Sequence, residues 1–175
     1  MKRITSIITT AVLALVVFSG CIKNDDIVWE GSVVEWDLAS YQAKPAGLPF
    51  PLLGNIPVVF GRAVQSGDPQ SSRLFTSEIR LRVNLVGRPR TSDLQIPVVV
   101  NTTYTTAVSG THFQLIDNVC TIPKDSSFGY VRWRILNPGA PAPAQTNPRV
   151  IFELRGSGDV RPSENFKMIG WSLIQ

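Results

Sequence analysis

Phe75-Thr76-Ser77-Glu78-Ile79-Arg80-Leu81-Arg82-Val83-Asn84-Leu85-Val86-Gly87 decides the fold. Successive side chains of an extended strand point to opposite faces. Phe75, Ser77, Ile79, Leu81, Val83 and Leu85 therefore share one side, and Glu78, Arg80, Arg82 and Asn84 share the other. A helix would scatter the same residues around its circumference. The run reads as a half-buried antiparallel strand that stops at Val86-Gly87-Arg88-Pro89.

The same period recurs in both directions from there. Leu94, Ile96, Val98 and Val100 alternate, with Pro97 marking an edge or a bulge. Val131, Trp133 and Ile135 alternate with Arg132 and Arg134, and Val150, Phe152 and Leu154 alternate with Ile151 and Glu153. A last strand, Phe166 to Ile174, is apolar on both faces. Ile27 to Leu38 predicts a first strand around Trp29, Val33, Val34 and Trp36, and Val58 to Val64 predicts another. All thirteen prolines lie beyond Tyr41, and each would cost a helix interior about 3 kcal/mol. No crossover helix of the kind a parallel sheet needs is evident. The expectation is an all-β protein, a single antiparallel β-sandwich of about seven to eight strands. Lys44 to Pro57 and Gly139 to Pro148 read as Pro-rich loops, and Ala43–Gly54 and Gly139–Pro148 are the loops expected to reach a partner.

The amino terminus is of another kind. Lys2 and Arg3 precede a twelve-residue apolar core, Ile7 to Phe18, and then Ser19, Gly20 and Cys21. A spanning helix needs about 20 residues, so this run reads as a secretory signal. Its final cysteine makes it resemble a bacterial lipoprotein signal, although Phe18 stands where an aliphatic residue is usual. The resemblance implies residues 1–20 as leader, Cys21 as the lipid attachment site and 21–26 as a polar tether before a domain of residues 27–175. Ile22-Lys23-Asn24-Asp25-Asp26 looks like the lysine-plus-acid export tract of Bacteroidetes-type lipoproteins. Lys23, Asp25 and Asp26 carry that match and imply display on the outer face of the outer membrane, in preference to a periplasmic orientation.

Charge and residue counts exclude several activities. Loss of Lys2 and Arg3 with the leader takes the formal charge from +4 to +2, which is no footprint for nucleic acid. Arg80 with Arg82, and Arg132 with Arg134, sit at strand spacing and read as a solvated sheet face. With Cys21 lipidated, Cys120 has no partner for a disulfide and reads as a buried small apolar residue. The lone histidine, His112, reads as a loop residue bonding backbone, since no Gly-x-Ser-x-Gly elbow accompanies it. One histidine and one thiol do not make a four-ligand zinc site. Glu35 and Asp37 would share a strand face. No cofactor, metal site or catalytic residue is expected, and the chain is not expected to be an enzyme.

Val83-Asn84-Leu85-Val86-Gly87, Thr106 to Phe113, Thr121 to Gly129 and Pro162 to Lys167 resemble a family of Bacteroidetes surface lipoproteins of unknown function. That domain is similar to the Calx-beta module, an immunoglobulin-like sandwich. The resemblance implies the fold and a cell-surface setting, and no activity. Some Calx-beta modules bind calcium through clustered carboxylates. Here His112 replaces an expected aspartate, and Asp117 and Asp125 are the nearest acids. The expected function is a lipid-anchored, non-catalytic module for adhesion or protein contact. The alternative is glycan binding in polysaccharide capture, for which Trp29 and Trp36 are the candidate ligand-binding rings. Trp133 and Trp171 are in phase with the core.

Overall fold

The computed structural model describes residues 31–57, 78–137 and 147–174. Its elements, in order, are β1 (Val33–Trp36), α1 (Asp37–Tyr41), β2 (Leu52–Pro57), β3 (Glu78–Val86), β4 (Leu94–Val100), β5 (Phe113–Leu115), β6 (Val119–Ile122), β7 (Phe128–Ile135), β8 (Arg149–Leu154), β9 (Arg161–Pro162) and β10 (Met168–Ile174). Two five-stranded sheets face each other, in the orders β5-β7-β3-β1-β9 and β2-β10-β8-β4-β6. The protein is an all-β sandwich.

The strand that opened the sequence reading is β3. Ile79, Leu81, Val83 and Leu85 are buried, whereas Arg80 is exposed. It pairs antiparallel with β7 from Glu78↔Arg134 to Asn84↔Phe128, and with β1 at Trp36↔Val83. The inner faces of both sheets meet in a core that holds Trp133, Trp171 and Phe152, with Trp133 5.2 Å from the Phe152 ring and 5.0 Å from the Trp171 ring. Removing such apolar area from water is the main favourable contribution to folding.

Among the described residues there are ten strands against the seven or eight expected; β5 and β9 have three residues and two, too few to reveal a period, and β2 lies where a loop was expected. Two pairings are parallel, β1 with β9 and β2 with β10, and the antiparallel expectation is corrected there. After β1 the chain crosses from the first sheet to the second and runs beside the last strand. A long crossover is what parallel neighbours require.

Two further expectations are corrected. The strand predicted over Ile27 to Leu38 ends at Trp36, because Asp37 opens α1 and turns Leu38 and Ala39 into the core. Asp37 therefore belongs to α1 and not to the strand, although its charge still reaches Glu35. The predicted loop from Lys44 to Pro57 contains β2, and Phe50 before it is buried. The strand expected over Val58 to Val64, most of the Gly139–Pro148 loop, and Phe75 and Ser77 lie outside the described residues.

Pro97 is tolerated within β4 because it stands where the β8 ladder runs out. The last registered pair is Val98↔Leu154. The Pro97 carbonyl accepts from the Arg155 N–H at 2.9 Å, so only the donor that proline lacks is missing on that side. Gly129 has a different reason. A Cβ there would lie 2.4 Å from the Thr121 carbonyl and 2.7 Å from the Cys120 sulfur. Glycine lets β7 close against β6, which brings the two sheets together at one corner.

Candidate binding face

The outer face of the first sheet is built by the period of β3 and β7. With Ile79, Leu81, Val83, Val131, Trp133 and Ile135 turned inward, the intervening residues must face solvent. The antiparallel register sets Arg80 opposite Arg132 and Arg82 opposite Tyr130. Like charges directly opposite one another repel, and the side chains resolve this diagonally. The Arg80 guanidinium lies over the Tyr130 ring at 4.3 Å, and the Arg82 guanidinium over the Phe128 ring at 4.3 Å. Such contacts contribute about 0.5–1 kcal/mol each at exposed sites. Phe128 and Tyr130 remain 39% and 36% exposed, with their rings 5.8 Å apart and steeply tilted at 77°.

Ion pairs flank this ladder. Arg132 binds Asp117 through Nε at 2.8 Å and Nη2 at 2.9 Å. These bonds hold the Asp117 carboxyl below the usual carboxylate range. Arg134 reaches Glu78 at 3.2 Å. At the other end Arg82 Nε donates to Asn84 Oδ1 at 2.9 Å, and Asn84 Nδ2 donates to Asp37 Oδ1 at 2.8 Å. Glu35, in register with Asn84, is pushed above its ordinary value by partial burial and then by the nearby Asp37 charge. The face presents aromatic edges and guanidinium donors to solvent.

The sites expected from sequence fall differently. Trp36 is 1% exposed, and its indole Nε1 donates to the Lys167 carbonyl at 3.0 Å. It has no ring face to offer a sugar, which corrects its candidacy as a ligand platform. Cys21, Lys23, Asp25, Asp26 and Trp29 lie outside the described residues. Ala43–Gly54 is no free-standing loop, since Phe50 packs against Tyr104 with ring centres 5.0 Å apart. The ladder itself was missed as a site. Its signal was present in Phe128-Gly129-Tyr130 beside Arg80-x-Arg82, but only the register puts those rings under those guanidiniums.

Among the described residues His112, Cys120, Asp117 and Asp125 stand in structural roles. His112 Nδ1 accepts from the Val108 N–H at 2.7 Å, the backbone role read from sequence. Gly110, with φ +81°, shapes that turn. Cys120 is buried and its thiol is pushed up to about 12, first by desolvation and then by Asp117, so it is an inert core residue. Asp117 is held by Arg132 and Asp125 sits in the β6–β7 turn with φ 57°. Among the described residues no three potential metal ligands stand together.

No protein-family model matches the chain, and no curated protein matches it significantly. Solved structures do resemble it. One is a Bacteroides ovatus protein of unknown function, with a TM-score of 0.51 at 9% identity, covering 83% of this chain and 52% of that one. Another, also from Bacteroides ovatus, is described provisionally as a carbohydrate binding protein, with a TM-score of 0.49 at 8% identity, covering 81% of this chain and 36% of that one. The apo Calx CBD1 domain has a TM-score of 0.49 at 11% identity, covering 82% of this chain and 98% of that one. The chain thus spans about a third and about half of the two Bacteroides ovatus chains. Likeness at such identities extends to the β-sandwich fold alone, and only the 0.51 match carries weight for it.

Proposed function

We propose that the chain is a lipid-anchored, non-catalytic envelope module that contacts a protein partner through the outer face of its first sheet. The observation that carries this reading is the open ladder of Arg80, Tyr130, Arg82 and Phe128. Arginine and aromatic residues are enriched at the centres of protein interfaces. Stacked guanidiniums and rings are already ordered, so less freedom is lost on association. Ion pairs of both signs around the ladder supply a polar rim. The partner is a protein surface that offers carbonyl or carboxylate acceptors beside an apolar patch.

Glycan binding is the competing outcome. A sugar stacks best on an open ring face, whereas here a guanidinium covers one face of each ring and the two rings are far from coplanar. The Bacteroides ovatus carbohydrate binding structure is too distant to alter that balance. In this reading Cys21 carries the lipid, Lys23, Asp25 and Asp26 direct display at the outer membrane surface, and no cofactor takes part. Several acyl chains anchor durably, whereas one binds only marginally.

Two measurements test it. Cys21→Ala is expected to release the chain from the membrane fraction, and sedimentation of that variant with membranes at high salt would contradict the anchor. A photo-crosslinking residue in place of Tyr130, on intact cells, is expected to trap one defined envelope protein. Crosslinks only to polysaccharide would favour the glycan outcome instead.

A further inference from the structure

A second surface, at the end of the sandwich where the chain enters β1, plays no part in that reading. Gly31 and Ser32, the β3–β4 loop and the turn before β9 enclose an open cavity of about 470 Å³, lined by Arg88, Arg90, Thr91 and Asp159 among others. A smaller cavity of about 240 Å³ shares Arg90, Thr91 and Asp159. We propose that this end takes a phosphate group, held by the guanidiniums of Arg90 and Arg88.

Arg90 is the centre of the argument. Its Nη2 donates to Asp159 Oδ2 at 2.7 Å, while its Nε is buried with no hydrogen-bond partner. A buried donor left without an acceptor is costly, and more so when charged. An oxyanion entering the cavity would meet the exposed part of the Arg90 guanidinium, and would reach Nε only after the side chain turned. The larger cavity is lined by two positive side chains, Arg88 and Arg90, against one negative, Asp159; Asp93 lines only the smaller one and accepts there from the Lys124 N–H. Asp159 is 75% exposed, and an ion pair so solvated contributes little, so an anion can share Arg90 with it. Thr91 adds a hydroxyl donor. A guanidinium fork matches phosphate oxygens two at a time.

The walls are also fixed. The Asp125 N–H donates to the Arg90 carbonyl at 2.7 Å, and the Lys124 N–H to Asp93 Oδ1 at 2.9 Å, which ties the β3–β4 loop to the β6–β7 turn. Gly87, with φ +138°, lies so close to Gly31 and Ser32 that a Cβ would meet their oxygens at 2.9 Å. The two Arg side chains therefore stand on a loop that need not be ordered by the ligand.

The phosphate could be a lipid headgroup or a soluble phosphate. Gly31 lies ten residues beyond Cys21, a reach of at most about 36 Å. Under the lipid-anchor reading this end is close to the bilayer, but the phosphate proposal does not require that reading. The test uses the full chain carrying Cys21→Ala, titrated calorimetrically with inorganic phosphate at constant ionic strength, with chloride as control. Saturable binding is expected, weakened at least about tenfold by Arg88→Ala, which is about 1.4 kcal/mol. Arg90→Lys, which keeps the charge and loses the fork, should weaken it as well without lowering the unfolding midpoint, since it also removes the unpartnered Nε. Cosedimentation with phosphatidic acid vesicles and not with phosphatidylcholine vesicles, reversed by excess phosphate, would support a headgroup as the source. Titration by inorganic phosphate without vesicle binding would support a soluble phosphate. No saturable binding in either arm, or binding that Arg88→Ala leaves unchanged, would overturn the proposal.

Discussion

The two sheets turn opposite kinds of outer face to their surroundings. The first presents Arg80, Arg82, Phe128, Tyr130, Arg132 and Arg134 to solvent. The second is covered over β8 and β10, whereas Gln95, Pro97, Val119 and Thr121 on its β4 and β6 strands stay exposed. Outward-facing Ile151 is fully buried and Glu153 is 7% exposed. Phe50, Leu52 and Tyr104 lie over β8 and β10, so close that a Cβ on Gly170 would meet Leu52 at 3.0 Å and Ile151 at 3.1 Å. The loop after β4 adds Thr105 Oγ1, which accepts from the Ile151 N–H at 3.0 Å. Glu153 is buried with its partners in place, Asn101 Nδ2 at 2.7 Å and Arg155 at 3.2 Å. The β8–β10 half of the second face therefore contributes to stability, whereas the β3–β7 face of the first is left open.

The sharpest way to break this comparison is to weigh the two apolar layers. Trp133→Ala, in the central core, should destabilise the domain by about 3–5 kcal/mol, read as a lowered denaturation midpoint. An unchanged midpoint would remove Trp133 from the core. Phe50→Ala, in the cover of the second sheet, should cost somewhat less, about 3 kcal/mol, because one side of its site is a loop that can settle. It should also speed exchange of the Ile151 amide. A loss below about 0.5 kcal/mol, usual for exposed positions, would mean that the second sheet is as open as the first.

Smaller effects sharpen the picture of the open face. Glu35 is raised in the folded state, so the folded chain binds the proton more tightly than the unfolded chain. Its ionisation therefore disfavours folding as pH rises through the folded value, and the penalty is absent below the ordinary value of 4.5. Glu35→Gln should raise the unfolding midpoint at neutral pH and leave it unchanged in acid. A gain that persists in acid would point to packing instead. Arg80→Glu with Tyr130→Ala, on the ladder, should change stability by no more than about 1 kcal/mol, since both side chains are exposed. A larger loss would make the ladder a structural element rather than a contact surface.

Much of the fold was legible because β3 and β7 keep their period with one side solvated, and β4 keeps it in part; β8 is buried on both sides and showed itself only through Glu153 between apolar residues. The reading failed where a local rule gave way to tertiary context. Trp36 was a candidate ring because Trp29 and Trp36 are out of phase on the strand predicted there, so that one of the two should face out; Trp36 faces inward, 1% exposed and bonded to the Lys167 carbonyl. Phe50 and Leu52 looked like loop residues because prolines and Gly47 surround them, yet they cover the second sheet. Apolar residues on both faces of β10 were the sign that something covers that sheet. The ladder needed register, which the sequence of a single strand does not contain. The cavity beside Arg90 needed three segments far apart in the chain.

The most direct test holds one envelope extract against three baits: the wild-type chain, the Arg80→Glu/Tyr130→Ala chain, and a chain altered at exposed Gln95 and Thr121 on the second sheet. The account predicts that one identified protein is retained by the first and third and lost by the second, and that the purified pair reproduces the result. Retention of that protein by the ladder variant, or its loss from the second-sheet variant alone, would contradict it.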